Sequence, residues 1–165
     1  MKVLVVVDMQ NDFISGSLGS DEAKGIVPFV KDKIMNYDGR VIFTRDTHMQ
    51  DYLNTREGRN LPVEHCIKDT DGWQICDELK NFATEIVDKI TFGSCDLPEI
   101  IGEAPEEIEI CGLCTDICVI SNAMILKAAF PEIDIIVDSK CCAGVTPESH
   151  NNAIEAMKAV QIIIK

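Results

Sequence analysis

Cys118 stands where a nucleophile would be placed. It lies in Glu107–Met124, EIEICGLCTDICVISNAM, in which Ile108 and Ile110 alternate with charge before Cys111-Gly112-Leu113, the pattern of a short strand. The chain then turns through Cys114-Thr115-Asp116. Ile117, Val119, Ile120, Ala123, Met124 and Ala128 fall at helical spacing, which predicts a helix from Asp116 to Ala129 capped by Thr115 or Asp116. Cys118 would occupy its first turn, where unpaired N–H groups and the helix dipole favour a thiolate, so its thiol pKa is expected to fall. The amides of Cys114 and Cys118 could receive an oxyanion there. Two further residues complete such a site. Asp8 could take the thiol proton, and Lys89 could hold Asp8 and the thiolate in their charged forms. A thioester would form, Asp8 would return its proton to the departing amine, and water would clear the thioester. Taken singly these residues have plainer roles, Asp8 as a turn former and Lys89 as a solvated strand end.

A second set lies in TRDTHMQDYLNTREGRNLPVEHC. Asp46 and His48 are two residues apart and share a face in extended chain. Glu57 and His65 follow, with Leu61-Pro62 stiffening the approach to His65. Imidazoles and carboxylates suit a divalent transition metal and would leave positions for water or substrate. The competing reading is a polar loop with hydrogen-bonded histidines. His150 precedes a helical pattern and reads as a surface residue.

Eight cysteines without a secretion signal read as free thiols of a reducing compartment. Cys111-Gly-Leu-Cys114 follows a strand as in thioredoxin-like motifs, and Cys141-Cys142 is a vicinal pair. A zinc site from Cys111, Cys114, Cys118 and Cys141 is the alternative use. Against it, Cys111 falls on the buried side of a strand, and adjacent cysteines lack zinc spacing. Cys66, Cys76 and Cys95 carry no readable signal.

The elements that must position these residues follow from the patterning. A chain of 165 residues with 46% hydrophobic content is expected to form one domain, 1–165, with a proper core. Lys2–Val7 is an unbroken aliphatic strand of the kind buried on both faces of a parallel sheet. Further strands are read at 40–44, 85–89, in the opening stretch, at 134–138 and at 160–164. Helices are read at 26–35, with Pro28 in the first turn, and at 74–81, 97–101, 116–129 and 147–159. Alternating strands and helices predict an α/β fold with a mostly parallel six-stranded sheet. Ligands bind such sheets beyond the carboxyl ends of the strands. Asp8, Asp46, His48, Lys89, Cys114 and Cys118 would all gather there. The net charge of −13 argues against nucleic acid and anionic membranes as partners. No apolar run approaches membrane-spanning length, and MKVLVVVDMQ meets Asp8 too early for a signal peptide. A cytoplasmic location is expected.

The stretches VVDMQNDF, RDTH, LPVEHC, DKITFGS and CGLCTDICV, spread in order over nearly the whole chain, resemble the isochorismatase-like cysteine hydrolases, and among them the nicotinamidases. The resemblance implies a three-layer α/β/α sandwich. It implies an Asp8–Lys89–Cys118 triad with Cys118 as nucleophile, and a cis peptide at Leu113–Cys114 that turns the Cys114 amide into an oxyanion hole shared with Cys118. It implies a zinc, iron or manganese ion on Asp46, His48 and His65, with Glu57 matching a fourth ligand of some members. The substrate would be a small-molecule amide, its pocket walled by Phe13 and Leu113, and the chain could form a homo-oligomer as relatives do. The sequence departs from the family at Pro62, where some members carry tryptophan, and in its short length. Another small amide or a carbamoyl compound is therefore the second enzyme reading, and a non-catalytic thiol or metal-binding protein is the third.

Overall fold

The computed structural model describes residues 1–102 and 105–165. The elements are β1 (Lys2–Val7), α1 (Asn11–Ile14), α2 (Asp21–Met35), β2 (Arg40–Asp46), α3 (Arg56–Asn60), β3 (Ile86–Lys89), α4 (Leu97–Ile101), β4 (Glu107–Leu113), α5 (Ile120–Ala129), β5 (Asp134–Ala143), α6 (Pro147–Ala159) and β6 (Ile163–Ile164). Val3 to Val7 of β1 have no solvent exposure, as their aliphatic run demands of a central parallel strand. The sheet order is β3-β2-β1-β4-β5-β6, and every pairing is parallel. Helix α2 packs on β4 and β5, while α4, α5 and α6 form a second group against one another and against β5 and β6. The result is an α/β/α sandwich.

The chain starts in the middle of the sheet, builds outward to β3, then returns to β4 on the other side of β1. Strand order therefore reverses between β1 and β4, and a crevice opens beyond their carboxyl ends. Their approach there is close. Gly112 has φ 116° and opposes Val7, and a Cβ at this position would run into the Val7 carbonyl oxygen.

Several predicted elements differ. The helix expected at 74–81 is absent. Gln10 and Ile75 form an antiparallel bridge, and the Cys76 N–H donates to the Met9 carbonyl at 3.0 Å. These bonds fix the chain at Ile75 and Cys76 in bridge geometry, and beyond them only a turn at 77–79 and a 3₁₀ turn at Lys80–Phe82 remain. Helix α2 starts earlier, at Asp21, because Ser20 accepts from the Ala23 N–H. Pro28 thus lies in the helix interior, not its first turn. β5 continues to Ala143, and β6 shrinks to two residues because Val160 to Gln161 turns, with Gln161 at φ 66°. The loop before His65 contains α3, capped by Thr55. The helix expected over 116–129 is split into a π-helical turn, Thr115–Val119, and α5. Neither Thr115 nor Asp116 caps it; Cys114 is the N-terminal residue of the turn, without a side-chain cap. No helix among the described residues is long and apolar enough to cross a membrane.

Candidate active site

Asp8 follows β1 at φ 48°, a left-handed conformation that aspartate tolerates better than most residues. It is fully buried. The Thr44 hydroxyl donates to its Oδ1 at 2.6 Å. Its Oδ2 lies 2.6 Å from Lys89 Nζ and otherwise has no hydrogen-bond partner. Lys89, the last residue of β3, also reaches Cys118 Sγ at 3.5 Å and Asp46 Oδ1 at 3.3 Å. The acid, the ammonium and the sulfur come from β1, β3 and the π-helical turn, and the sheet brings them together.

The expected fall in the Cys118 pKa does not occur. Burial, and next the Asp8 carboxylate, push it well above the ordinary thiol value, and Lys89 opposes them only in part. The helix field is outweighed because the sulfur is shut away from water beside an anion. Burial also raises Asp8 against the pull of Lys89. Burial disfavours the Lys89 ammonium, but Asp8, Cys118 and Asp46 outweigh it and its pKa is raised. Burial therefore disfavours the charged form of Asp8 and of Cys118 alike.

Asp46, His48, Glu57 and His65 each point a ligand atom into one space, all within 4.8 Å of one another. His48 Nε2 is 3.0 Å from Asp46 Oδ2 and 3.6 Å from Glu57 Oε1; His65 Nε2 is 3.7 Å from each of the two. His65 Nδ1 lies 2.7 Å from the Val63 carbonyl oxygen, which places the ring proton on Nδ1 and frees Nε2 as a ligand. Asp46, His48 and His65 are buried, a costly crowd of polar groups without a cation. Burial works against the His48 imidazolium, yet Asp46 and Glu57 raise its pKa. Burial works against the Asp46 anion, and His48 with Lys89 lowers its pKa regardless. Two imidazoles with two carboxylates fit a divalent ion. The cysteines form no such group among the described residues; all eight are free thiols, and Cys111 is fully buried on β4.

The peptide between Leu113 and Cys114 is cis. The Cys114 carbonyl accepts from Ile117 N–H at 3.1 Å and Val119 N–H at 3.0 Å, whereas its own N–H donates to no backbone acceptor among the described residues. A chamber of about 60 Å³ over Cys118 is walled by Phe13, Leu18, Leu61, His65, Phe92 and Ile117. Phe13 stacks near His65, with ring centres 5.5 Å apart. Leu113 is buried in β4 and does not line the chamber. A larger cavity of about 590 Å³ adjoins it across Leu61 and Phe92 and is open to solvent past Arg56, Asn60 and Ile90.

Sequence reading missed the residues that hold these groups. Gln10 donates from Nε2 to the Asp46 carbonyl at 2.8 Å and accepts from the Asp46 N–H at 2.7 Å. Asp12 accepts from the Cys66 N–H at 2.8 Å, anchoring the His65 loop. Asn122 donates to the Cys118 carbonyl at 2.8 Å and accepts from Ser94. Gln10 and Asp12 stand within DMQNDF, so their position was visible although their partners were not. His150 is half-buried, not a surface residue, and its Nδ1 lies 2.7 Å from Thr115 Oγ1.

The isochorismatase domain family matches residues 2–164, and the chain belongs to the isochorismatase family. Within that class it is similar to nicotinamidases. The nicotinamidase of Saccharomyces cerevisiae is 26% identical, with 98% of each chain covered. That alignment runs over 212 positions, so the yeast protein carries insertions relative to this chain of 165 residues. Among solved structures, a pyrazinamidase of Pyrococcus horikoshii in complex with zinc is 27% identical with a TM-score of 0.85, covering 99% of this chain and 98% of that one. A nicotinamidase of Bacillus subtilis is 25% identical with a TM-score of 0.82 over the same shares.

Proposed function

We propose that the protein is a metal-dependent cysteine amidohydrolase that converts nicotinamide and water to nicotinate and ammonia. The convergence of Asp8, Lys89 and Cys118 beside the four-residue metal set carries this reading. Cys118 passes its proton to Asp8 Oδ2, the carboxylate oxygen left without another partner. Lys89 then pairs with the thiolate. The sulfur attacks the amide carbon, and the oxyanion is received by the Cys114 and Cys118 amides. Protonated Asp8 gives its proton to the nitrogen as the C–N bond breaks, leaving ammonia and a thioester. Asp8 next takes a proton from water as the hydroxide attacks the thioester. The acid departs and the proton returns to sulfur.

Asp46, His48, Glu57 and His65 would hold the divalent ion, with zinc the first candidate and iron or manganese the others. When bound, such an ion offers a Lewis-acid site to the lone pair of a ring nitrogen. Phe13 gives the ring an apolar wall. The eight free thiols support a reducing, cytoplasmic location.

Another small amide or a carbamoyl compound is the second reading, favoured by the chamber. Its 60 Å³ is well below the roughly 150 Å³ that holds a benzene ring. The test is direct. Purified protein, supplied with metal and reductant, should release ammonia and nicotinate from nicotinamide. Release from small aliphatic amides alone would transfer the assignment to the second reading.

A further inference from the structure

His150 is the one histidine outside the metal set, and it sits on the turn that carries the nucleophile. It is the fourth residue of α6. Its Nδ1 lies 2.7 Å from the hydroxyl of Thr115, a fully buried residue that follows Cys114 directly. Among the described residues that hydroxyl has no other partner. The next residue is tied to the same region, since Asp116 Oδ1 accepts from the Val145 N–H at 3.1 Å. Between these bonds, Gly144 leaves no room for a side chain: a Cβ there would come within 2.8 Å of the His150 backbone nitrogen. Two successive side chains of the turn are therefore gripped from outside, Thr115 by the first turn of α6 and Asp116 by the connection from β5 to α6. From inside, the Cys114 carbonyl is held by the Ile117 and Val119 amides. The Cys114 N–H between these restraints is left for a ligand.

We propose that His150 is a positioning residue for the hydrolysis, acting through the Thr115 hydroxyl to hold the Cys114 amide in register with the oxyanion. This rests on the amidohydrolase reading. His150 does not reach the sulfur's proton path, which belongs to Asp8 and Lys89. Its removal should spare nucleophile formation and impair only the stabilisation of the tetrahedral intermediate. Burial, opposed by Asp116, lowers the His150 pKa and keeps the ring neutral at physiological pH. A neutral ring pairs with a hydroxyl in either tautomer.

The experiment compares His150→Ala, His150→Asn, Thr115→Val and the double variant His150→Ala/Thr115→Val. Two rates are read: turnover of the amide, and alkylation of Cys118 by iodoacetamide followed by mass spectrometry. Alkylation displaces iodide at a saturated carbon and forms no oxyanion. Losing a whole oxyanion donor costs roughly 100-fold or more in kcat, so a displaced one should cost about 10- to 100-fold. His150→Ala and Thr115→Val should each lose that much kcat with KM nearly unchanged and Cys118 alkylated at the wild-type rate. The double variant should be no worse than either single one, and His150→Asn should regain most of the loss. Wild-type kcat in His150→Ala and Thr115→Val, a parallel fall in alkylation, or losses that multiply in the double variant would each overturn the proposal. Wild-type protein that alkylates at Cys118 but turns over no amide would instead overturn the amidohydrolase reading beneath it.

Discussion

Asp46 divides its carboxylate between two centres: Oδ1 lies 3.3 Å from Lys89 Nζ, while Oδ2 lies 3.0 Å from His48 Nε2. The aspartate ending β2 and the lysine ending β3 are register partners in the sheet, so this link is built into the strand pairing. The proposed metal set and the proposed triad would thus be joined through one side chain. Glu57, by contrast, has its carboxylate near the two imidazoles, has no ion pair with Lys89 among the described residues, and comes from α3.

That difference separates two variants. Glu57→Ala should weaken metal binding by more than roughly tenfold, yet recover turnover in excess metal. Asp46→Ala should lose metal and stay slow in excess metal, because Lys89 has lost one of its anionic neighbours. Metal content by mass spectrometry beside turnover measures both. Full recovery of Asp46→Ala in excess metal would show that the Lys89 contact has no catalytic weight.

The two cysteines of the nucleophile turn should behave differently. Cys118→Ala removes the sulfur that Lys89 reaches and should abolish turnover. The proposed work of Cys114 is done by its backbone N–H, so Cys114→Ala should keep activity within about tenfold. Steady-state rates on matched preparations decide this. Equal losses would mean that the Cys114 thiol takes part in the chemistry.

Phe92 stands between the chamber and the outer cavity and is 42% exposed. Phe92→Ala should merge the two spaces. Ring-substituted carboxamides should gain kcat/KM over the wild type, and small aliphatic amides should lose it, each by roughly tenfold for a contact of this size. An unchanged ranking of substrates would remove Phe92 from the specificity wall.

Far from the site, Lys33 Nζ lies 2.7 Å from Glu109 Oε1 and 2.7 Å from Asp138 Oδ2, all three largely buried. Burial works against the Lys33 ammonium, but Asp138 and Glu109 raise its pKa above the usual 10.5. Burial works against the Asp138 anion, but Lys33 lowers its pKa below the usual 3.8. The Lys33 contribution is complete below 10.5 and is lost as pH climbs through its raised folded value. The Asp138 contribution is complete above 3.8 and is lost as pH falls through its lowered folded value. Stability from this cluster should therefore be level through neutrality and decline at both extremes. Lys33→Met should cost about 3–5 kcal/mol at pH 7, since Asp138 stays buried without its cation and Glu109 keeps only the longer contact to Lys165, at 3.7 Å. Thermal melts across pH test it, and an unchanged neutral melting temperature would show that solvent already screens the cluster.

Local pattern was enough for the α/β class, for six strands near their true places, and for singling out the residues that the fold gathers into the candidate triad and the candidate metal set. The reason is that β1 is an aliphatic run with only one comfortable environment, and that Asp8 follows it directly while Asp46 and Lys89 end β2 and β3. Periodicity failed at 74–81, where Ile75, Cys76 and Leu79 are buried and Ile75 forms a bridge to Gln10 that no local spacing announces.

Tertiary structure alone decided the chemistry of those residues. Helix position suggested a lowered pKa at Cys118, but burial of the sulfur and the nearby Asp8 push it up instead. His150 looked like a surface histidine because its partner, Thr115, lies 35 residues earlier and meets it only when α6 packs on the nucleophile turn. A sequence lists which groups are available, whereas their pKa values and partners depend on distances and burial that exist only once the chain has folded.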